Sequence, residues 1–217
     1  MKIGLIGMSG VGKSFWASRL ASIGFFCYHC DDLIASRLQK DLGIPMQSVY
    51  DLGTWMGFPY EPGFEEREKQ YLALEGNILS EVAETMQNLP IDQNAVVDTT
   101  GSAIYLDLNI LHKLKRSALL VYLAITPEVH RQMLEDYIKR PRPLVWNHSF
   151  DRLPGETHES ALRRNYPKLI LYREAQYEKF ADVKIEYNVH RAQGFAVTDF
   201  IAWVQNVAGL RSAWQES

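Results

Sequence analysis

The sequence GMSGVGKS, at residues 7–14, decides the fold of this chain of 217 residues. It matches the pattern G-x-x-x-x-G-K-[ST] without a mismatch, with an apolar run at residues 3–6 before it and a helical pattern at residues 13–22 after it. Glycines allow such a loop to turn its backbone N–H groups inward, and the start of the following helix adds a partial positive charge. Strand, loop and helix together predict a cradle for the phosphate groups of a nucleotide.

The individual side chains of the loop predict which cofactors it holds. Lys13 would bring its ammonium group to the β- and γ-phosphates of ATP, where it would also act in catalysis, and the Ser14 hydroxyl would coordinate Mg²⁺. The predicted nucleotide-binding residues of the loop are Gly7, Ser9, Gly10, Val11, Gly12, Lys13, Ser14 and Phe15. We therefore expect ATP and Mg²⁺ as cofactors.

Short apolar runs alternate with helical patterns along the chain, which is typical of a parallel sheet covered by helices. The predicted strands cover residues 3–6, 25–29, 95–99, 117–125 and 183–187. These patterns predict an α/β, three-layer P-loop NTPase fold with a five-stranded parallel sheet, of the nucleoside-monophosphate-kinase-like type. Two irregular stretches, at about residues 43–63 and 139–158, are expected to form a substrate-binding flap and a lid.

Length and composition favour a single domain over residues 1–217. The net charge of −3 is unlike the basic balance of proteins that bind nucleic acid backbones, so we expect no nucleic acid partner. No apolar stretch approaches the roughly 18 residues of a membrane span, so we expect no membrane association. Two cysteines are too few for a disulfide scaffold, which favours the cytoplasm. The oligomeric state stays open.

The segment KRPRPL, at residues 139–144, suits a lid that closes on a transferring phosphoryl group. Prolines flank Arg140 and Arg142, and a planar guanidinium group can bond two phosphate oxygens at once. The chain has no Asn-Lys-x-Asp pattern of the kind that GTPases use to recognise guanine. A small kinase is therefore the favoured class, with both arginines on the nucleotide and Arg142 also in catalysis.

Over most of residues 3–187 the chain resembles the shikimate kinase family. Residues 24–32, GFFCYHCDD, are similar to the family strand that ends in Asp-x-Asp, and residues 62–68, PGFEERE, to its Gly-Phe-Arg-x-x-Glu helix start. Residues 142–145, RPLV, resemble its lid, and Arg173 with Tyr177 resembles its last helix. The resemblance implies a P-loop kinase that transfers the γ-phosphoryl group of ATP to a hydroxyl group.

Three departures fall in the part of the family pattern that binds the substrate. His29 takes the place of the first aspartate of Asp-x-Asp, and Asp31 takes the place of the second. Glu65 replaces the arginine that would clamp the substrate carboxylate, which reverses the charge there. Residues 100–102, TGS, keep one of three glycines. The nucleotide half of the resemblance carries over, and shikimate as the acceptor does not.

Two aspartates are candidates for the catalytic base. Asp31 or Asp32, after the second strand, would orient the acceptor hydroxyl, with Asp31 also contacting the substrate; the alternative is that both cap the next helix. Asp98 ends the third strand and would hold Mg²⁺ with Ser14.

Further residues are candidates for binding the acceptor. Thr100 and Gly101 would line its pocket, and Arg67 and Arg173 would clamp an anion. The aromatic residues of the two irregular stretches would either wall the acceptor or pack the loops onto the domain. They are Trp55, Phe58, Tyr60 and Trp146.

Three functions stay open at this point. The favoured one is a kinase whose partner is a small-molecule acceptor with a hydroxyl group, shikimate-kinase-like in its nucleotide half. A second is a nucleotide, nucleoside or sugar kinase on the same scaffold, because Glu65 could accept hydrogen bonds from neutral hydroxyl groups. A third is a regulator that binds ATP without catalysis.

Overall fold

The strands of this computed structural model form one parallel sheet, and residues 1–215 are described. The strands are β1 (Lys2–Ile6), β2 (Phe26–His29), β3 (Ala95–Asp98), β4 (Leu119–Leu123) and β5 (Val183–Ile185). Within the described part of the chain the sheet has five strands in the order β2-β3-β1-β4-β5. The predicted α/β fold with a five-stranded parallel sheet is confirmed. The predicted domain of residues 1–217 includes residues 216–217, which lie outside the described residues.

Helices cover the sheet and fill the connections between its strands. They are α1 (Lys13–Ala21), α2 (Cys30–Leu42), α3 (Val49–Met56), α4 (Phe64–Asn88), α5 (Leu108–Ser117), α6 (Pro127–Lys139), α7 (His158–Phe180), α8 (Tyr187–His190), α9 (Val197–Gln215) and a short 3₁₀ helix (Ala103–Tyr105). Among the described residues, none of these helices combines the length and the apolarity that crossing a membrane requires.

The register of the sheet brings the predicted site residues to one edge. In β1, Leu5 pairs with Asp98 of β3, and Asp98 in turn pairs with His29 of β2. All three strands are parallel, so the loop after β1, the start of α2 after β2 and the end of β3 lie next to one another. Ligands of open α/β sheets bind at this carboxyl edge.

The last helix, α9, packs against α1. Helix α1 follows the loop at residues 7–12, which we call the phosphate loop. Trp16 of α1 is buried and stacks on Phe200 of α9, with ring centroids 4.7 Å apart. Phe195 also contacts Trp16, in an edge-to-face arrangement with ring centroids 5.5 Å apart. Aromatic pairs of this kind add to the stabilisation from burial, so α9 supports the position of α1 and of the loop before it.

Some predicted boundaries were wrong. Residues 43–63 were expected to be irregular throughout, but Val49–Met56 forms α3. Ser48 caps this helix, because its hydroxyl accepts from the Asp51 N–H and donates to the Asp51 carboxylate. The second strand begins at Phe26 and helix α2 already begins at Cys30, so β2 is only four residues long.

Candidate active site

The phosphate loop has the backbone conformation that its glycines predict. Gly7, Gly10 and Gly12 have positive φ angles of 139°, 86° and 113°. Gly12 is the N-cap of α1 and supplies no side-chain acceptor to the helix start. The N–H groups of the first turn therefore have no cap from this residue, which is the arrangement in which a helix N-terminus takes an anion.

Lys13 lies inside the loop rather than on its surface. Its side chain is buried, and Nζ donates to the carbonyl oxygens of Gly7 at 2.9 Å and Met8 at 3.0 Å. Burial lowers the pKa of Lys13, while the charges of Asp98 and Asp31 oppose this effect. The ammonium group thus lies between the loop and two carboxylates, where phosphate oxygens would attract it.

A cleft of about 440 Å³ opens between the loop, the start of α2 and the lid. It brings together most of the predicted nucleotide and catalytic residues, with His29 and Val49 added. The residues that line it are Ser9, Gly10, Gly12, Lys13, Ser14, Phe15, His29, Asp31, Asp32, Val49, Asp98 and Arg142. Gly7 and Val11 lie in the loop behind it and are buried.

Asp31 is the better placed of the two candidate bases. It is partly buried in the first turn of α2 and accepts a hydrogen bond from the Tyr71 hydroxyl at 3.1 Å. Burial raises the pKa of Asp31 to about 6, and Lys13 opposes the rise. Asp32 is exposed at the mouth of the same cleft. A carboxylate with a pKa just below neutral is suited to accept a proton near pH 7.

Asp98 is held by His29. The Nδ1 atom of His29 lies 3.1 Å from Oδ2 of Asp98, and its Nε2 atom lies 3.2 Å from the sulfur of Cys27. The hydrogen bond with Asp98, followed by that with Cys27, raises the pKa of His29 to about 10. The imidazole ring of His29 therefore joins Cys27 to the carboxylate that was predicted to face Mg²⁺.

The residues of this edge fit a magnesium ion that is also bound by a nucleotide. Asp98 and the exposed Ser14 line the same cleft, and both supply the oxygen ligands that Mg²⁺ prefers. Among the described residues, no group of three or more His, Cys, Asp and Glu side chains could hold a metal on its own. This donor set matches an ion that takes its other ligands from phosphates and water.

Thr100 turns away from the cleft toward a buried glutamate. Its hydroxyl donates to Glu75 of α4, and the hydroxyl of Ser102 donates to the other oxygen of Glu75 at 2.7 Å. All three side chains are buried. Burial raises the pKa of Glu75 to about 7, although the two hydrogen bonds oppose the rise. Sequence reasoning missed Glu75, whose signal is a charged residue on the apolar face of α4, one turn from Tyr71 and Leu79.

Arg173 is buried beneath the site. Its Nη1 donates to the Gly101 carbonyl at 3.0 Å, its Nη2 to the Val145 carbonyl and its Nε to the Tyr105 hydroxyl at 3.3 Å. A methyl group on Gly101 would lie 2.9 Å from the backbone nitrogen of Ser9, so glycine is required for this close approach. Arg173 thus joins the phosphate loop, residue 101 and the lid.

Arg67 supports the flap rather than the cleft. Its Nε donates to the Met56 carbonyl at 2.9 Å, its Nη1 to the Pro62 carbonyl at 3.1 Å, and its Nη2 lies 3.8 Å from the Glu61 carboxylate. These partners lie on both sides of the turn between α3 and α4. Glu65 is exposed and lines a different cleft, together with Asn147 and His148.

The segment predicted as the lid contacts both the phosphate loop and α3, which lies in the segment predicted as the flap. The guanidinium group of Arg142 donates to the Tyr50 hydroxyl of α3 at 3.1 Å, and that of Arg140 lies over the Tyr50 ring at 3.4 Å from its centroid. A methyl group on Gly10 would lie 2.7 Å from Nη1 of Arg142. Gly53 of α3 fits directly against the backbone of Pro141. The two segments therefore contact each other, and each contributes a residue to the lining of the cleft, Val49 and Arg142.

The aromatic residues of the two irregular stretches pack against each other and the domain. Trp146 is buried, and its indole N–H donates to the Tyr137 hydroxyl at 3.3 Å. Glu68 accepts the backbone N–H groups of Trp146 and Asn147, which fixes this part of the lid. Phe58 also meets Tyr137 edge-on. Phe58 and Trp146 therefore pack the loops onto the domain, which is the second of the two roles expected for these aromatic residues.

A phosphate loop that faces carboxylates across a cleft, under an arginine-bearing lid at the carboxyl edge of a parallel sheet, is the arrangement of the P-loop kinases. A sequence model of the family described as "Shikimate kinase" matches residues 9–204. The chain therefore belongs to the shikimate kinase family.

Solved structures of this family share the fold. A shikimate kinase from Acinetobacter baumannii in complex with shikimate superposes with a TM-score of 0.60 at 22% identity, over 96% of this chain and 93% of the other. The shikimate kinase from Aquifex aeolicus gives 0.60 at 21% identity, over 96% and 98%. That from Bacteroides thetaiotaomicron gives 0.54 at 20% identity, over 100% and 99%. A search of curated protein sequences gives no match.

Proposed function

We propose that this protein is an ATP-dependent kinase that transfers the γ-phosphoryl group to a hydroxyl group of a small molecule. The observation that carries the proposal is a single cleft that Lys13, Asp31 and Arg142 all line. Phosphoryl transfer depends mainly on positioning and on charge around the moving group, and these residues supply both.

Different residues would act on the nucleotide and on the acceptor. The N–H groups of the loop and Lys13 would hold the β- and γ-phosphates, and Arg142 would stabilise the charge on the transferring group from the lid side. Asp31 would accept the proton of the acceptor hydroxyl as its oxygen attacks phosphorus and ADP leaves. Ser14 and Asp98 would hold Mg²⁺, which would neutralise phosphate charge. Closure of flap and lid would exclude water.

One property of the chain supports a place in the cytoplasm: Cys27 and Cys30 are both free thiols. A second property concerns the partner, because the net charge of −3 fits a small molecule better than nucleic acid.

The proposal is tested by ADP release from Mg-ATP with panels of hydroxyl compounds, including shikimate, polyols and nucleosides. We expect at least one compound to accelerate ADP release, and Lys13→Ala to abolish both the basal and the accelerated rate. A protein that binds ATP with unchanged turnover across the panels would instead be a regulator. Glu66→Gln replaces an exposed residue of α4 and serves as the control variant, which should release ADP at the wild-type rate.

A further inference from the structure

Side chains of both charges line the cleft. Lys13 and Arg142 lie beside the phosphate loop, where phosphate groups would use their charges. Asp31 and Asp32 of α2 and Asp98 of β3 form what we call the acidic side of the cleft. A molecule that offers its hydroxyl group to Asp31 must lie against this acidic side.

The histidine beside this acidic side is already engaged by the protein. The Nδ1 atom of His29 lies 3.1 Å from Asp98, and its Nε2 atom lies 3.2 Å from the sulfur of Cys27. Asp31 accepts from the Tyr71 hydroxyl, which is uncharged, and the nearby cation Lys13 would be drawn to the phosphate groups of the nucleotide. Asp32 is exposed, and its charge acts directly on whatever occupies the mouth of the cleft.

The two arginines that could bind a carboxylate are used inside the protein. Each of the three guanidinium nitrogens of Arg173 donates to the protein, and the side chain is only 1% exposed. The guanidinium nitrogens of Arg67 are engaged by two carbonyl groups and Glu61 across the flap turn. Neither residue lines the cleft, and among the described residues Arg142 is the only arginine that does.

We infer that the acceptor is an uncharged or cationic hydroxyl compound, such as a polyol or an amino alcohol, and not a carboxylate. A carboxylate beside Asp31 and Asp32 would meet like charge without a guanidinium partner, whereas an ammonium group would be attracted there. This inference rests on the proposed kinase function and assigns the acceptor class of that same site.

The experiment uses acceptors that differ only in charge. One series is gluconate, sorbitol and 1-amino-1-deoxysorbitol, which carry a carboxylate, a hydroxymethyl and an aminomethyl group on the same chain. A second pair is shikimate and the alcohol obtained by reducing its carboxylate. We expect the neutral or amino member to accelerate Lys13-dependent ADP release, with kcat/KM at least about tenfold above that of the carboxylate. A carboxylate that is the best member of its series would overturn the inference, and so would the absence of acceleration by every neutral and amino member.

Two variants of α2 separate local charge from net charge. Asp32→Asn removes a charge at the mouth of the cleft, and Asp41→Asn removes one near the other end of the same helix. Asp32→Asn should lower the ratio of kcat/KM for the amine to that for the alcohol several-fold, while Asp41→Asn leaves it unchanged. Equal ratios in the two variants would count against the inference. If the wild-type protein releases no ADP with any compound, the kinase function itself is rejected. This outcome differs from a failure of the inference about acceptor charge.

Discussion

Replacing Glu75 with glutamine should stabilise the protein above neutral pH and have a smaller effect in acid. The Glu75 carboxyl group is 1% exposed on α4, where it accepts hydrogen bonds from Thr100 and Ser102. Burial raises its pKa from the ordinary 4.5 to about 7, so the folded protein must bury a charge there at alkaline pH. Glutamine has a similar shape, keeps an acceptor oxygen and cannot ionise.

The sign and the size of the effect follow from proton linkage. Between pH 4.5 and about 7, the folded protein keeps a proton on Glu75 that the unfolded chain has lost, so the free energy of unfolding falls as the pH rises. Above this window the loss is constant, and below pH 4.5 it is absent. A rise in pKa from 4.5 to about 7 corresponds to roughly 3 kcal/mol. Asp31 is present in both proteins, and its charge is one of the smaller causes that raise the pKa of Glu75, so the neutral glutamine also removes this repulsion.

The assay is urea unfolding of the wild-type protein and Glu75→Gln, followed by tryptophan fluorescence at several values between about pH 5 and pH 8. The difference in the free energy of unfolding should move in favour of the variant by about 2.5 kcal/mol across this range, since part of the loss has already occurred at pH 5. Glu66→Gln, on the exposed face of the same helix, should show no such trend. A difference between Glu75→Gln and wild type that does not change with pH would refute the reasoning.

Three other changes test the cleft and the contacts between flap and lid. Asp31→Asn should lower the rate of phosphoryl transfer at least about 100-fold in stopped assays, while nucleotide titrations should show little change in ATP affinity. The wild-type rate should fall as the pH drops below about 6, because Asp31 is then protonated. Gly53→Ala should separate flap from lid, because the new methyl group would lie 2.2 Å from the Pro141 carbonyl oxygen. Residues 139–158 should then be cleaved faster by proteases, and an unchanged cleavage rate would contradict this prediction. Tyr50→Phe removes the hydroxyl bonded to Arg142 and keeps the ring under Arg140, so the KM for ATP should rise only a few-fold, whereas Tyr50→Ala should raise it further.

The nucleotide half of the site could be predicted because its signals are local. Residues 7–14 combine glycine spacing, a preceding strand and a following helix within one short stretch, and Lys13 and Ser14 lie in that stretch. The end of an apolar strand also places Asp98 at the carboxyl edge without further information. Helix α3 had a local signal too, the capping pair Ser48 and Asp51, which the glycine- and proline-rich surroundings obscured.

The acceptor half could not be predicted because its contacts join distant residues. Glu75 meets Thr100 across 25 residues, and Glu68 meets Trp146 across 78. Arg173 occupies the position that the family resemblance indicates, yet the carbonyl groups of Gly101 and Val145 take its donors. Whether an arginine clamps a ligand or the main chain depends on which carbonyl groups the fold brings to it, and sequence spacing does not contain that information.

The central claim is that this cleft moves a phosphoryl group from ATP to a hydroxyl group. The most direct measurement is ³¹P NMR of a reaction with Mg-ATP and the acceptor that most accelerates ADP release. We expect a phosphomonoester signal with coupling to acceptor protons to grow as the γ-phosphate signal of ATP declines, and no such signal with Lys13→Ala. Inorganic phosphate as the sole new product, at equal rates with and without acceptor, would contradict the account.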